Sequence, residues 1–207
     1  MEIKTEIINY IGNFIDKYRI YENINIKFAL GKYSEQFGFE DHLFQKDNYT
    51  KIKSLLESCL TWENTTITKN TTITTNTNIT TNTNTTEHKS NLQSKLFQSS
   101  KEIDKIIILC KSGSYDIMVS INEIVNKEIN NENEYVISFK KKNHIFNLCI
   151  IKTDINEIYY KFNISSIIPP NYSSVYIGHS SLLKICDTLS KLDNNTHFIF
   201  DIITFYF

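Results

Sequence analysis

Along residues 23–31 apolar and polar side chains alternate: Ile24, Ile26, Phe28 and Leu30 stand against Asn23, Asn25, Lys27 and Ala29. A period of two with every large apolar residue on one side predicts a half-buried β-strand. Gly31 follows as an expected turn residue. Upstream, Ile3, Ile7, Ile8, Ile11, Phe14, Ile15 and Tyr18 fall on one stripe of a helix over 3–18. Downstream, Phe37-Gly38-Phe39 reads as an aromatic loop, and Asp47 as the N-cap of a helix carrying Tyr49, Ile52, Leu55 and Leu56.

Beyond residue 100 the pattern is mostly of strands. Ile106 to Cys110 is a continuous apolar run suited to burial on both faces. Tyr115, Ile117, Val119 and Ile121 alternate with Asp116, Met118, Ser120 and Asn122, and Tyr135, Ile137 and Phe139 with Val136, Ser138 and Lys140. Residues 145–151 and 158–165 add two strands before Pro169-Pro170 breaks the sheet. Ser180 or Ser181 is placed to cap a helix running through Leu182, Ile185, Leu189 and Leu192, and 197–206 forms a last strand. Seven or eight strands and three helices predict an α+β protein: an antiparallel β-barrel or tunnel with flanking helices.

Between Asn64 and Thr86 the chain is almost wholly Asn and Thr. Such a stretch buries too little apolar area to offset its ordering entropy, so a disordered insertion at about 64–88 is expected within one domain spanning 1–207. A Thr-rich edge strand is the ordered alternative.

Composition narrows the chemistry. A formal charge of −1 argues against a broad electrostatic footprint for duplex DNA. Arg19 is the single arginine and Ala29 the single alanine, while Asn, Ile, Lys and Tyr abound. Any site needing a planar bidentate guanidinium must do without one. Cys59, Cys110, Cys149 and Cys186 form no C-x-x-C pair, so buried thiols in a reducing compartment are expected, not a zinc or redox motif. No apolar N-terminal leader and no membrane-length apolar run is visible, which points to a cytoplasmic protein. His144 has no acidic or Cys partner at ligand spacing, and Ser112-Gly113-Ser114 lacks the Gly-Lys-Ser/Thr helix start of a phosphate loop. Trp62 and the many Phe and Tyr read as core.

The order of these pieces resembles the triphosphate tunnel metalloenzymes, specifically the RNA 5′-triphosphatases of viral and fungal mRNA capping systems. That family opens with a helix and a Glu-x-Glu-x-φ-φ-Gly strand, whose frame Ile26 to Gly31 matches here. Tyr115-Asp116-Ile117-Met118-Val119-Ser120 is similar to its Tyr-Asp-Ile-Arg-x-Ser strand. Phe139-Lys140-Lys141-Lys142 resembles the basic strand, Thr153-Asp154-Ile155 the next, and 159–165 the closing Glu-x-Glu strand. The resemblance implies a tunnel whose glutamates hold Mg²⁺ or Mn²⁺ against the γ-phosphate while basic residues cradle the rest.

At the implied positions this chain departs from that chemistry. The first glutamate pair falls on Asn25 and Lys27; the closing pair falls on Lys161 and Asn163, or on Asn163 and Ser165. Met118 replaces the arginine, and Cys149 with Ile151 or Asn147 the Arg-x-Asp pair. Glu123 is a possible remnant acid. Hard divalent cations want anionic oxygens. A lysine removes a ligand and adds repulsion of about 4 kcal/mol per unit charge at ~4 Å and an effective dielectric of ~20. No metal cofactor is therefore expected. Lys27, Lys140, Lys142 and Lys161 become candidate phosphate ligands, with triphosphate-ended RNA or a capping-enzyme subunit as partner. An AT-rich residue bias and this resemblance together suggest a large DNA virus replicating in host cytoplasm. An active, divergent polynucleotide 5′-phosphatase using Mg²⁺ or Mn²⁺, with glutamates drawn from Glu22, Glu128 or Glu157, is one alternative. A plain α+β interaction protein, with solvated lysines and Glu123 on its surface, is the other.

Overall fold

The computed structural model describes residues 4–21, 23–41, 45–58, 63–64, 100–124, 134–141, 144–152, 157–168, 171–194 and 198–203. Cys59, Trp62, the Asn/Thr-rich stretch beyond Asn64, Lys142 and Thr153-Asp154-Ile155 lie outside them. So do the alternative glutamates Glu22 and Glu128 and the Pro169-Pro170 break.

Three helices, α1 (Thr5–Asp16), α2 (Lys46–Ser58) and α3 (Ser174–Asp193), accompany the strands. The strands are β1 (Ile24–Ser34), β2 (Gly38–Glu40), β3 (Glu63–Asn64), β4 (Ser100–Cys110), β5 (Asp116–Ile124), β6 (Glu134–Lys141), β7 (His144–Lys152), β8 (Ile158–Ile167) and β9 (Phe200–Ile203). All pair antiparallel in the order β3-β6-β7-β8-β1-β5-β4-β9, with β2 added to the far end of β1. Among the described residues β3 and β9 do not pair with each other, so the expected antiparallel sheet is there but is not closed by hydrogen bonds.

One face of the sheet carries the helices. Ile24, Ile26, Phe28 and Leu30 of β1 join Ile117, Val119 and Ile121 of β5 and Phe162 and Ile164 of β8 in one apolar core. From above, α1 contributes Ile7, Ile11, Phe14 and Ile15, and α3 contributes Ile177, Leu182, Ile185 and Leu189. The two helices approach closely through glycines. A Cβ on Gly12 would lie 2.5 Å from Val175 Cγ2, and one on Gly178 would lie 2.7 Å from Ile11 Cγ2.

Several boundaries differ from the sequence pattern, each for a local reason. Gly31 does not end β1; it is buried in mid-strand, where a Cβ would meet the Glu40 carbonyl oxygen at 2.3 Å and the Phe39 ring at 2.8 Å. The glycine is there for close approach, and the turn comes at Gly38, whose φ is +74°. Asp47 lies inside the first turn of α2 instead of capping it. Helix α3 starts two turns before Ser180: Ser173 caps it by accepting from the Tyr176 N–H, and Ser181 is buried within it against Ser166 of β8. β4 begins at Ser100 and carries a bulge between Glu102 and Asp104. Asn64, read as the start of the insertion, is paired in β3. No helix among the described residues is long and apolar enough to cross a membrane.

His144 lies on the helix-bearing side, in register with Ser166, and is buried with no hydrogen-bond partner for Nε2. Burial first, and then the Lys184 ammonium, lowers its pKa to about 4. The unfolded chain therefore takes up a proton near pH 6.5 that the folded chain refuses until about pH 4. Stability from this group is complete above pH 6.5 and is lost as pH falls toward 4, by about 3 kcal/mol at most. Urea titrations at pH 7 and pH 4.5 should differ by that order, and His144→Phe should remove most of the difference. Gly31→Ala should lower unfolding free energy by about 1–3 kcal/mol through the clash with β2, measurable in the same titration.

Candidate functional site: the polar face of the sheet

The alternation that sends Ile26 and Phe28 toward the helices sends Asn25, Lys27 and Ala29 to the other side. The neighbouring strands do the same. In register, Lys105 of β4 meets Ser120 of β5, which meets Lys27 of β1, which meets Ser165 of β8. The row continues through Ile145 of β7 to Lys140 of β6. One step toward the Asn25 end, Asn25 lies between Asn122 and Ile167. One step the other way, Met118, Ala29, Asn163, Asn147 and Ser138 form a row.

These polar side chains are sealed from solvent: Asn25 is 5% exposed, Ser120 1%, Asn122 5%, Ser138 0%, Asn163 7% and Ser165 7%. No described helix packs on this face. Buried polar groups need partners, and most of these find one on the same face. Ser138 donates to Asn147 Oδ1 at 2.8 Å; Asn147 Nδ2 donates to Asn163 Oδ1 at 2.9 Å and to Ser165 Oγ at 3.3 Å. Across β5, Asn122 Nδ2 donates to the Ser120 hydroxyl at 3.0 Å. A neutral hydrogen-bonded ladder thus spans β6, β7 and β8.

The structure brings together most, but not all, of the residues singled out from sequence. Asn25, Lys27, Asn163 and Ser165 share this face, with Lys27 directly opposite Ser165. Lys27 and Lys140 stand on one row, and Glu63 of β3 faces Lys140 in register at its end. Lys161 is different. Four residues along β8 from Ser165, or about 13 Å at ~3.3 Å per residue, it pairs with Asp41 at 2.8 Å. Glu123 is not on the polar face: it registers with Ile24 and Lys101, is exposed, and lines a groove of about 410 Å³ with Tyr21, Asn23, Lys101 and Glu102. Of the alternative acids, Glu157 is exposed and bonded to the Tyr159 hydroxyl.

Two residues matter here that pattern alone did not assign. Lys105 joins the cationic row and pairs with Glu102 at 2.9 Å; the bulge before it puts it there, and a bulge leaves no trace in alternation. Asp116, 3% exposed, is a fastener: Oδ1 accepts from the Cys110 N–H at 2.9 Å and Oδ2 from the Tyr33 N–H at 3.0 Å, with Lys32 3.4 Å away. The acid of the Tyr-Asp-Ile stretch thus ties β1, β4 and β5 together.

The donor set on this face is amide, hydroxyl and ammonium. Its middle rows offer N–H groups and positive charge to an anion, while the carboxylates Glu63, Glu102 and Asp116 stand at its margins.

No protein family and no curated protein matches the sequence. Solved structures do match in shape. The RNA triphosphatase Pct1 of S. pombe superposes with a TM-score of 0.63 at 9% identity, covering 92% of this chain and 95% of that one. The same enzyme in complex with the Spt5 CTD superposes at 0.60 with 10% identity, covering 92% and 96%. Over nearly its whole length the chain has the fold of that tunnel-type triphosphatase.

The ladder predicts its own fragility. Asn147→Leu leaves the buried Asn163 oxygen and Ser165 hydroxyl short of a donor, and should cost about 2–3 kcal/mol of unfolding free energy in urea.

Proposed function

We propose that this chain is a tunnel-fold relative of the RNA 5′-triphosphatases that holds the phosphate end of an RNA, or a short oligophosphate, without metal-dependent hydrolysis. Its place would be that of an accessory in mRNA capping. The observation that carries this reading is Lys27: an ammonium on the polar face between Ser120 and Ser165, where the tunnel family is expected to hold a glutamate. Three carboxylates on or beside that face are already engaged, Asp116 by backbone N–H groups, Glu102 by Lys105 and Asp41 by Lys161; Glu63 of β3 stands opposite Lys140 and Glu134 lies at the far end of β6 from it. A divalent ion beside Lys27 meets repulsion where it needs ligands, whereas a phosphate oxygen meets a charge-assisted donor.

The ligand's charge would be met by Lys27 and Lys140, with the amide groups of Asn25 and Asn163 as neutral neighbours. Lys142 extends the same strand's sequence beyond the described residues. Lys161 contributes only by leaving Asp41.

Inorganic tripolyphosphate should bind in a salt-sensitive way, and Lys27→Ala or Lys140→Ala should each weaken it about tenfold by calorimetry, the loss of one charge-assisted contact. Binding unmoved by both substitutions removes the phosphate-end role. Phosphate release from triphosphate-ended RNA with Mg²⁺ or Mn²⁺ would favour the divergent phosphatase instead.

A further inference from the structure

One end of the polar face is covered by the chain itself. After β1 the backbone turns at Gly38 and β2 lies along Lys32–Ser34, with Phe39 in register with Tyr33. The Phe39 ring swings over Gly31, close enough that only a glycine fits beneath it. There it packs against a small apolar cluster of Ala29, Ile107 and Met118, together with Tyr33 and Leu109. Ala29, Ile107 and Met118 belong to the polar side of the sheet by alternation, so at this level half of that face turns from polar to apolar. Two residues after Phe39, Asp41 reaches β8 and pairs with Lys161 at 2.8 Å. Lys161 registers with the buried Cys149 of β7 on the same face.

From these contacts we infer that Phe39, Asp41 and Lys161 form a clasp shutting the β2 end of the polar face, so that an oligophosphate enters only from the Lys27–Lys140 end and is read by its terminal phosphate. The inference rests on the phosphate-end reading for its ligand, but the clasp itself does not. Two physically different contacts hold it: an apolar plug on the β1–β5–β4 side and a half-buried ion pair on the β8 side. Both contacts lie toward the β2 end, at and beyond the row of Met118, Ala29, Asn163, Asn147 and Ser138 that comes one step after Lys27 and Lys140. A blind site selects for chain ends. A site open at both ends would also accept the interior of a long phosphate chain.

Cys149 is a native reporter of this end. In the wild-type protein its thiol should resist maleimide, as should Cys186, which is 0% exposed and whose thiol burial pushes up to about 12. Asp41→Asn combined with Phe39→Ala should speed labelling of Cys149 about tenfold through local opening, with Cys186 unchanged, both read by peptide mass spectrometry. Equal Cys149 rates in variant and wild type overturn the clasp. Where the double variant also exposes Cys186, the single Asp41→Asn variant decides by the ratio of the two rates: a raised Cys149-to-Cys186 ratio supports the clasp and an unraised one overturns it.

The ligand arm uses linear polyphosphate of long chain length, followed by sedimentation. The wild type should load only at chain ends, and the clasp variant along the chain. Wild-type loading along the chain overturns end selection. Failure of the wild type to bind either tripolyphosphate or the long chain overturns the phosphate-end reading, while the Cys149 rates still judge the clasp.

Discussion

A polar side chain sealed from water must find its partners inside the protein, and the inner face of this sheet is built under that constraint. Six side chains of Asn and Ser are nearly inaccessible there, and the strand register brings five of them to hydrogen-bond partners, three through Asn147 and two along β5. Slip β8 by one residue and Asn163 and Ser165 turn into the apolar core while Phe162 and Ile164 turn inward. The helix-facing core and the polar ladder therefore enforce the same register from opposite sides. Chemistry on this face is positioned by that agreement, because Lys27 and Lys140 stand on rows the ladder fixes.

Asp116 shows how one buried carboxylate serves the frame and leaves ligand chemistry to others. Both its oxygens take backbone N–H groups, one from β4 and one from β1, at the place where β5 enters the sheet. Backbone groups at a strand end otherwise lack ladder partners, and an ionised acceptor satisfies two of them at once. The negative charge is then balanced in part by the exposed Lys32.

The sequence discloses these features unevenly, and physics says why. Alternation made β1, β5 and β8 legible, because each has one apolar and one polar face, and it put Asn25, Lys27, Asn163 and Ser165 on a common side. It did not disclose that Gly31 continues its strand, since the reason is a carbonyl and a ring arriving from β2. Nor could it show that Lys161 is engaged by Asp41, a partner far away in the chain. Motif likeness offers Glu123 as a remnant acid or a surface residue, and register gives it the parity of Ile121, on the helix-bearing side. The early start of α3 was hidden because Ser173 and Ser180 look alike as caps until the buried face of the helix is known.

The interlock of α1 with α3 through Gly12 and Gly178 has a consequence for how the chain acquires this shape. Both glycines admit a neighbour that belongs to the opposite end of the sequence, and β1 in turn is sandwiched between β5 and β8. Helix α1 thus lacks its α3 neighbour, and β1 its β5 and β8 neighbours, until much later segments emerge from the ribosome. Contacts so distant in sequence make for slow, concerted assembly with a prolonged interval of exposed apolar surface.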